Sequence, residues 1–188
     1  MRPIGSLLIA ALAASALPAA EAHAQDLAAI DGLIARGRFT DARASLARWR
    51  EQHPRNSRDT PADEHAFALL LTGRLARDAA AAEDAYLELA LGYPTSTHAP
   101  AALLRLGQGL LAADEPERAR AYLERLVRDY PNASQRAEGM LWLARAQRTT
   151  GRAALACTTV RAALTLRDLH FETAQLLQHE ERSACARS

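Results

Sequence analysis

Apolar and polar positions along the chain recur with a helical rhythm, clearest from Thr97 to Pro131. Leu103, Leu106, Leu110 and Leu111 follow one another at spacings that place them on one face of a helix. Pro100 fits the first turn of that helix, where its missing N–H costs nothing, and Ser96 or Thr97 is available as its cap. The run Asp114-Glu115-Pro116-Glu117 predicts a second helix start, with Asp114 as cap, Pro116 in the first turn and Glu117 as the carboxylate of a capping box. Ala119, Leu123 and Leu126 form the apolar stripe of this second helix, and Tyr130-Pro131 stops it. Gly107 and Ala119 are small enough to let the two helices approach closely. The stretch reads as a helical hairpin.

The hairpin is repeated, and repeats decide architecture before any other signal. Twelve residues before Pro54, Pro94 and Pro131 stand Ala42, Ala82 and Ala119. Four residues beyond each alanine come Leu46, Tyr86 and Leu123, and seven beyond come Trp49, Leu89 and Leu126. Ala156 opens a fourth copy, with Val160 and Ala163, and Asp168 where the proline would stand. The steps between alanines are 40, 37 and 37 residues. Gly37 and Gly151 share one turn position, five residues before their alanines. Between the first two copies, RNSRDTPAD is a polar connector in which Thr60 can cap a third helix and Pro61 can start it. That helix is expected to reach about Arg77, and a fourth to run from about Ala79 to Leu91. A last helix is expected from Leu169 to Ala186, with Phe171, Ala174 and Leu177 on one side. Gln178, Glu180, Glu181 and Arg182 would form the polar outer face that a stack of repeats needs at its end.

Composition agrees with helices and narrows the partner class. Hydrophobic residues make up 49% of the chain but aromatics only 5%, and no segment alternates at period two over a useful length. The formal net charge is +1, and all 23 basic residues are arginine. Arg118, Arg120, Glu124, Arg125 and Arg128 show how the arginines interleave with acids. That is a solvated helix face, not the basic stripe that nucleic acid binding requires.

Leu106-Gly107, Leu110, Ala119, Leu123, Leu126 and Pro131 together resemble the tetratricopeptide repeat (TPR) signature. The ordinary repeat has about 34 residues. The connectors Tyr93-Pro94-Thr95-Ser96 and Tyr130-Pro131-Asn132-Ala133-Ser134 lengthen it here by about a turn, as in periplasmic envelope proteins of the BamD and CpoB type. The resemblance covers roughly residues 26 to 168. It implies an all-α, right-handed TPR-like solenoid of about four hairpins, at about 26–56, 62–96, 98–134 and 136–168, closed by a capping helix at 169–187.

The first 24 residues predict an address. One arginine precedes an apolar run from Ile4 to Leu17, and Ala22-His23-Ala24 matches a signal-peptidase site, so the mature chain is expected to begin at Gln25. The run is about 14 residues long, short of the roughly 20 that a spanning helix needs. No cysteine stands near the cleavage site to carry a lipid, so no membrane anchor is expected. The two cysteines lie elsewhere: Cys157 on the second helix of the fourth copy, Cys185 on the last helix. Their midpoint falls in the predicted turn between those helices, and antiparallel neighbours would bring them together. An even count in an exported chain favours a disulfide, with two free thiols as the alternative.

No residue pattern points to catalysis. The histidines form no H-E-x-x-H, and neither a P-loop nor a G-x-S-x-G nor a G-x-G-x-x-G occurs. Neither a cofactor nor a metal is expected. A binding surface is. The resemblance places groove-lining positions on the first helix of each pair: Phe67, Leu71 and Arg74; Leu104, Gln108 and Leu111; Leu141, Arg145 and Arg148. Such a groove could hold an amphipathic helix or an extended peptide, with arginine gripping a carboxylate. The same leucines could equally be core between helices. The family implies a scaffold for envelope proteins, in outer-membrane assembly or Tol–Pal-linked constriction. The alternative is a helical accessory subunit of a secretion, pilus or envelope enzyme complex.

Overall fold

The computed structural model describes residues 19–55, 57–167 and 169–186, with side chains from Gln25 onward. Nine α-helices make up the described chain: α1 (Ala19–Ala35), α2 (Phe39–Gln52), α3 (Ala62–Leu75), α4 (Ala79–Gly92), α5 (Ala99–Ala112), α6 (Pro116–Asp129), α7 (Arg136–Thr149), α8 (Ala153–Leu164) and α9 (Phe171–Cys185). They pair in order as hairpins α1–α2, α3–α4, α5–α6 and α7–α8, and α9 packs on α7 and α8. No strand occurs among the described residues, so the fold is the all-α solenoid that the periodicity and repeats imply. The anticipated signal segment lies outside the described residues as far as residue 18, as does Asp168.

Three of the four hairpin turns close in the same way. The backbone N–H of Gly37 donates to Ile34 O and that of Arg38 to Leu33 O; Asp114 donates to Leu111 O and Glu115 to Leu110 O; Gly151 donates to Arg148 O and Arg152 to Gln147 O. This is the Schellman arrangement, which needs one left-handed residue just past the helix end. Gly37 (φ 73°), Asp114 (φ 60°) and Gly151 (φ 76°) are those residues. Asp114 therefore does not cap α6 as expected: the cap position is Glu115, without a side-chain bond. The α3–α4 turn differs. Ala76 is extended there, and Asp78 caps α4 by accepting the Ala81 N–H at 2.8 Å. The caps expected of Thr60, Ser96 and Thr97 are likewise absent. Pro61 and His98 hold those positions without side-chain caps. The Ser96 and Thr97 hydroxyls instead donate to Asp63, tying the second hairpin to the third.

Helices buried on two faces make the core continuous. α3 contributes Ala68, Leu71 and Leu75 to an N-terminal cluster with Leu27, Ile30, Leu46 and Trp49. It contributes Ala66, Leu69 and Leu70 to the central cluster with Tyr86, Leu103, Leu106, Leu123 and Leu126. α7 does the same further on, giving Leu143 and Ala146 to the centre and Met140, Leu141 and Ala144 to a C-terminal cluster with Val160 and Leu177. Each hairpin thus hides its apolar side only against its neighbours, as a solenoid must. Close approach is real where Gly107 crosses α6: a Cβ there would stand 2.4 Å from Leu123 Cγ. The last helix departs from expectation. Leu177 is buried, but Phe171 is 75% exposed, and Glu180, expected on the outer face, is only 3% exposed.

Candidate functional site

The first helices of the hairpins, α3, α5 and α7, lie beside one another, and a line of polar side chains runs from α5 to α7 and on to α9. Arg105 donates to Gln108 Oε1 at 3.0 Å, and Gln108 Nε2 donates to Glu138 Oε1 at 2.8 Å. Trp142 Nε1 reaches the same carboxylate oxygen at 3.3 Å. The Arg145 guanidinium lies 4.5 Å over the Trp142 ring, a cation–π arrangement. Arg145 and Arg148 then converge on Glu180 of α9, with Nε atoms 3.5 and 2.7 Å from its two oxygens. At the other end Arg74 pairs with Asp31 of α1, and Phe67 stacks on His98 with ring centres 4.4 Å apart.

The expected groove residues divide into two groups. Leu71 (0%), Leu104 (5%) and Leu141 (1%) have almost no exposed surface. They are interior side chains between helix layers, not a groove floor, because helices that pack on both neighbours turn these positions inward. Phe67, Arg74, Gln108, Leu111, Arg145 and Arg148 are half-buried on the first-helix face. Their polar members already have internal partners. The carboxylate that Arg145 and Arg148 were expected to take from a partner is Glu180 of the chain itself. Glu138, Trp142 and Asp63 belong to this face and were not anticipated. The i,i+4 pair Glu138–Trp142, one helical turn apart, was the signal that could have found two of them.

Asp63 shows the electrostatics of the face. Burial pushes its carboxyl up, but hydrogen bonds from Ser96 and Thr97 outweigh this and, with His98 nearby, hold it below the ordinary range. Burial lowers His98 in turn, only partly offset by Asp63 and Asp31. Its Nε2 lies 3.7 Å from Asp63 Oδ2.

Cys157 and Cys185 are joined in a disulfide that fastens α9 to α8, with Cα atoms 4.9 Å apart. Among the described residues, no group of three or more His, Cys, Asp or Glu could hold a metal ion. No described helix is long and apolar enough to cross a membrane.

A tetratricopeptide-repeat family model matches residues 101–133, the hairpin in which the sequence pattern is clearest. No curated protein matches the chain. Among solved structures, a Podosopora anserina protein of nearly identical TPR-like repeats is similar, with TM-score 0.60 and 18% identity over 86% of this chain and 84% of that one. So is Pseudomonas aeruginosa pilF, with TM-score 0.61 and 21% identity over 89% of this chain and 72% of that one. The chain therefore has the fold of a tetratricopeptide-repeat solenoid, and residues 101–133 carry that family's sequence signature.

Proposed function

We propose that the protein is an exported, non-catalytic scaffold that holds a helix or extended peptide of a cell-envelope protein against its first-helix face. One observation carries this reading: half-buried Phe67, Leu111 and Trp142 alternate with Arg74, Gln108 and Arg145 across helices that the solenoid holds in fixed register. Rigid aromatic and apolar anchors within a polar rim are what a peptide surface needs. Export is supported by the N-terminal 24 residues and by the disulfide, since structural disulfides persist in oxidising compartments. A periplasmic role of the BamD or CpoB kind follows from the connector resemblance. An accessory subunit of a secretion or pilus complex is the second reading, and the fold likeness to pilF supports it.

The test expresses the full chain and takes the intact mass of the protein from each cell fraction. The expected species is periplasmic, begins at Gln25 and lacks two hydrogens at its cysteines. Pull-downs from envelope extract would then compare this protein with Leu111→Glu. A chain retained inside the cell with Met1 in place refutes the export reading. Equal capture by both forms refutes the surface assignment.

A further inference from the structure

α9 stands where the first helix of a fifth hairpin would stand. It packs on α7 and α8, and no second helix follows it among the described residues. α3 and α7 are buried on two faces, but α9 is covered on one. Leu177 and Ala184 enter the C-terminal cluster, whereas Phe171 and Leu176 stay exposed.

The polar contacts of α9 fall on the end of the proposed docking face. Glu180 is 3% exposed, with its oxygens 3.5 Å from Arg145 Nε and 2.7 Å from Arg148 Nε. A carboxylate so buried is tolerated because charged donors compensate it. Arg145 also lies over the ring of Trp142, which shares the Glu138 carboxylate with Gln108. The face thus already holds an amphipathic helix. That helix offers it Leu177, Glu180 and Ala184, an acid between two apolar residues on one side of the helix.

Covalent bonds tie both ends of α9 to α8. The chain joins its N-terminal end, and Cys157–Cys185 joins its C-terminal end, closing a loop of 28 residues. With that bond made, α9 cannot swing off the face. With it broken, the Leu177 and Ala184 packing, the Glu180 pair and the largely exposed Arg161–Glu181 bridge alone retain it, and exposed bridges contribute little.

We propose that α9 is a built-in occupant of the docking face, latched by the disulfide, and that reduction frees its seat for a partner's amphipathic helix of the same pattern: an apolar residue, an acid three positions on and a small residue four beyond that. The exchange balances, because an external dithiol is oxidised to its own disulfide as Cys157 and Cys185 become two thiols. Cys157 is 6% exposed and Cys185 is half-buried in the last turn of α9, so an incoming thiolate reaches Cys185 first. Arg145 and Arg148, released from Glu180, then take the partner's carboxylate. This inference rests on the docking reading of the first-helix face and adds its regulation.

The test uses the full-length protein, oxidised or reduced with dithiothreitol, and a fluorescein-labelled peptide spanning Phe171–Ala184 as the incoming helix. Fluorescence anisotropy should show saturable binding to the reduced protein and binding at least about tenfold weaker to the oxidised one. Glu180→Gln in the peptide should weaken binding about tenfold, the scale of one charge-assisted bond. Arg148→Gln in the protein should do the same, and the two changes together should cost little more than either alone. Equal binding to both redox forms, or none to the reduced form, overturns the proposal. So does a loss of helicity on reduction larger than one helix, which would make α9 inseparable from the core. A dimer of the reduced chain without peptide also overturns it and assigns the seat to α9 of a second copy. The peptide is no envelope protein, so these outcomes are separate from the Leu111→Glu pull-down.

Discussion

Gly107 and Gly109 lie two residues apart on α5, and alanine at the two positions should have opposite effects. Replacing a helical glycine by alanine gains about 1 kcal/mol from backbone propensity. This gain applies at both sites and cancels in their difference. At Gly109 an added Cβ meets nothing within 4 Å, so Gly109→Ala keeps the whole gain. At Gly107 the Cβ would stand 2.4, 2.5 and 2.8 Å from Leu123 Cγ, Cδ2 and Cδ1. Leu123 is fully buried and cannot turn out of the way, so α5 and α6 must separate. Overpacking of this kind costs about 1–3 kcal/mol. Urea unfolding should therefore place Gly107→Ala about 1–3 kcal/mol below Gly109→Ala, with unchanged m-values. In a Leu123→Ala background the clashing atoms are gone, and Gly107→Ala should become as favourable as Gly109→Ala. Equal stabilisation by both alanines in the wild-type background would refute the claimed contact between the helices of the third hairpin.

Asp114→Gly should stabilise by about 0.5–1 kcal/mol, because glycine occupies the left-handed turn without the cost an L side chain bears. Thermal unfolding reads this as a rise of a few degrees. Reducing the Cys157–Cys185 bond, which closes a loop of 28 residues, should cost about 3–4 kcal/mol on the chain-entropy model. Hydrogen exchange should show that loss first in α9. Glu180→Gln removes the charge that holds Arg145 and Arg148 and should cost about 1–3 kcal/mol in denaturant melts. His65 and His98 both have folded-state values below the unfolded one, so the unfolded chain binds protons more readily. Their contribution is full above about pH 6.5 and is lost as pH falls below it. Stability measured from pH 8 to pH 5 should fall, and less steeply in a His65→Phe/His98→Phe variant.

Architecture was legible because it depends on period and repetition. Ala42, Ala119 and Ala156 recur at one register and are each fully buried, and the small–large match of Gly107 with Leu123 could be read from residue size. Turn chemistry was less legible at Asp114, since aspartate serves both as an N-cap and as a tolerated left-handed residue, and only the backbone decides between them. The sequence pattern misplaces the groove by one layer. Helical spacing places Leu71, Leu104 and Leu141 on a face but cannot say that the face is covered, because a solenoid buries two sides of each inner helix. Glu180 was misassigned for a similar reason: an acid on an end helix reads as solvated until the two arginines of α7 are seen to meet it.

A photo-crosslinking amino acid placed at Leu111 on the first-helix face, and separately at exposed Ala121 on α6, tests the central claim most directly in the exported protein. The account predicts a discrete envelope-protein adduct from position 111 and none from position 121. Adducts of equal yield from both positions, or from position 121 alone, would contradict it.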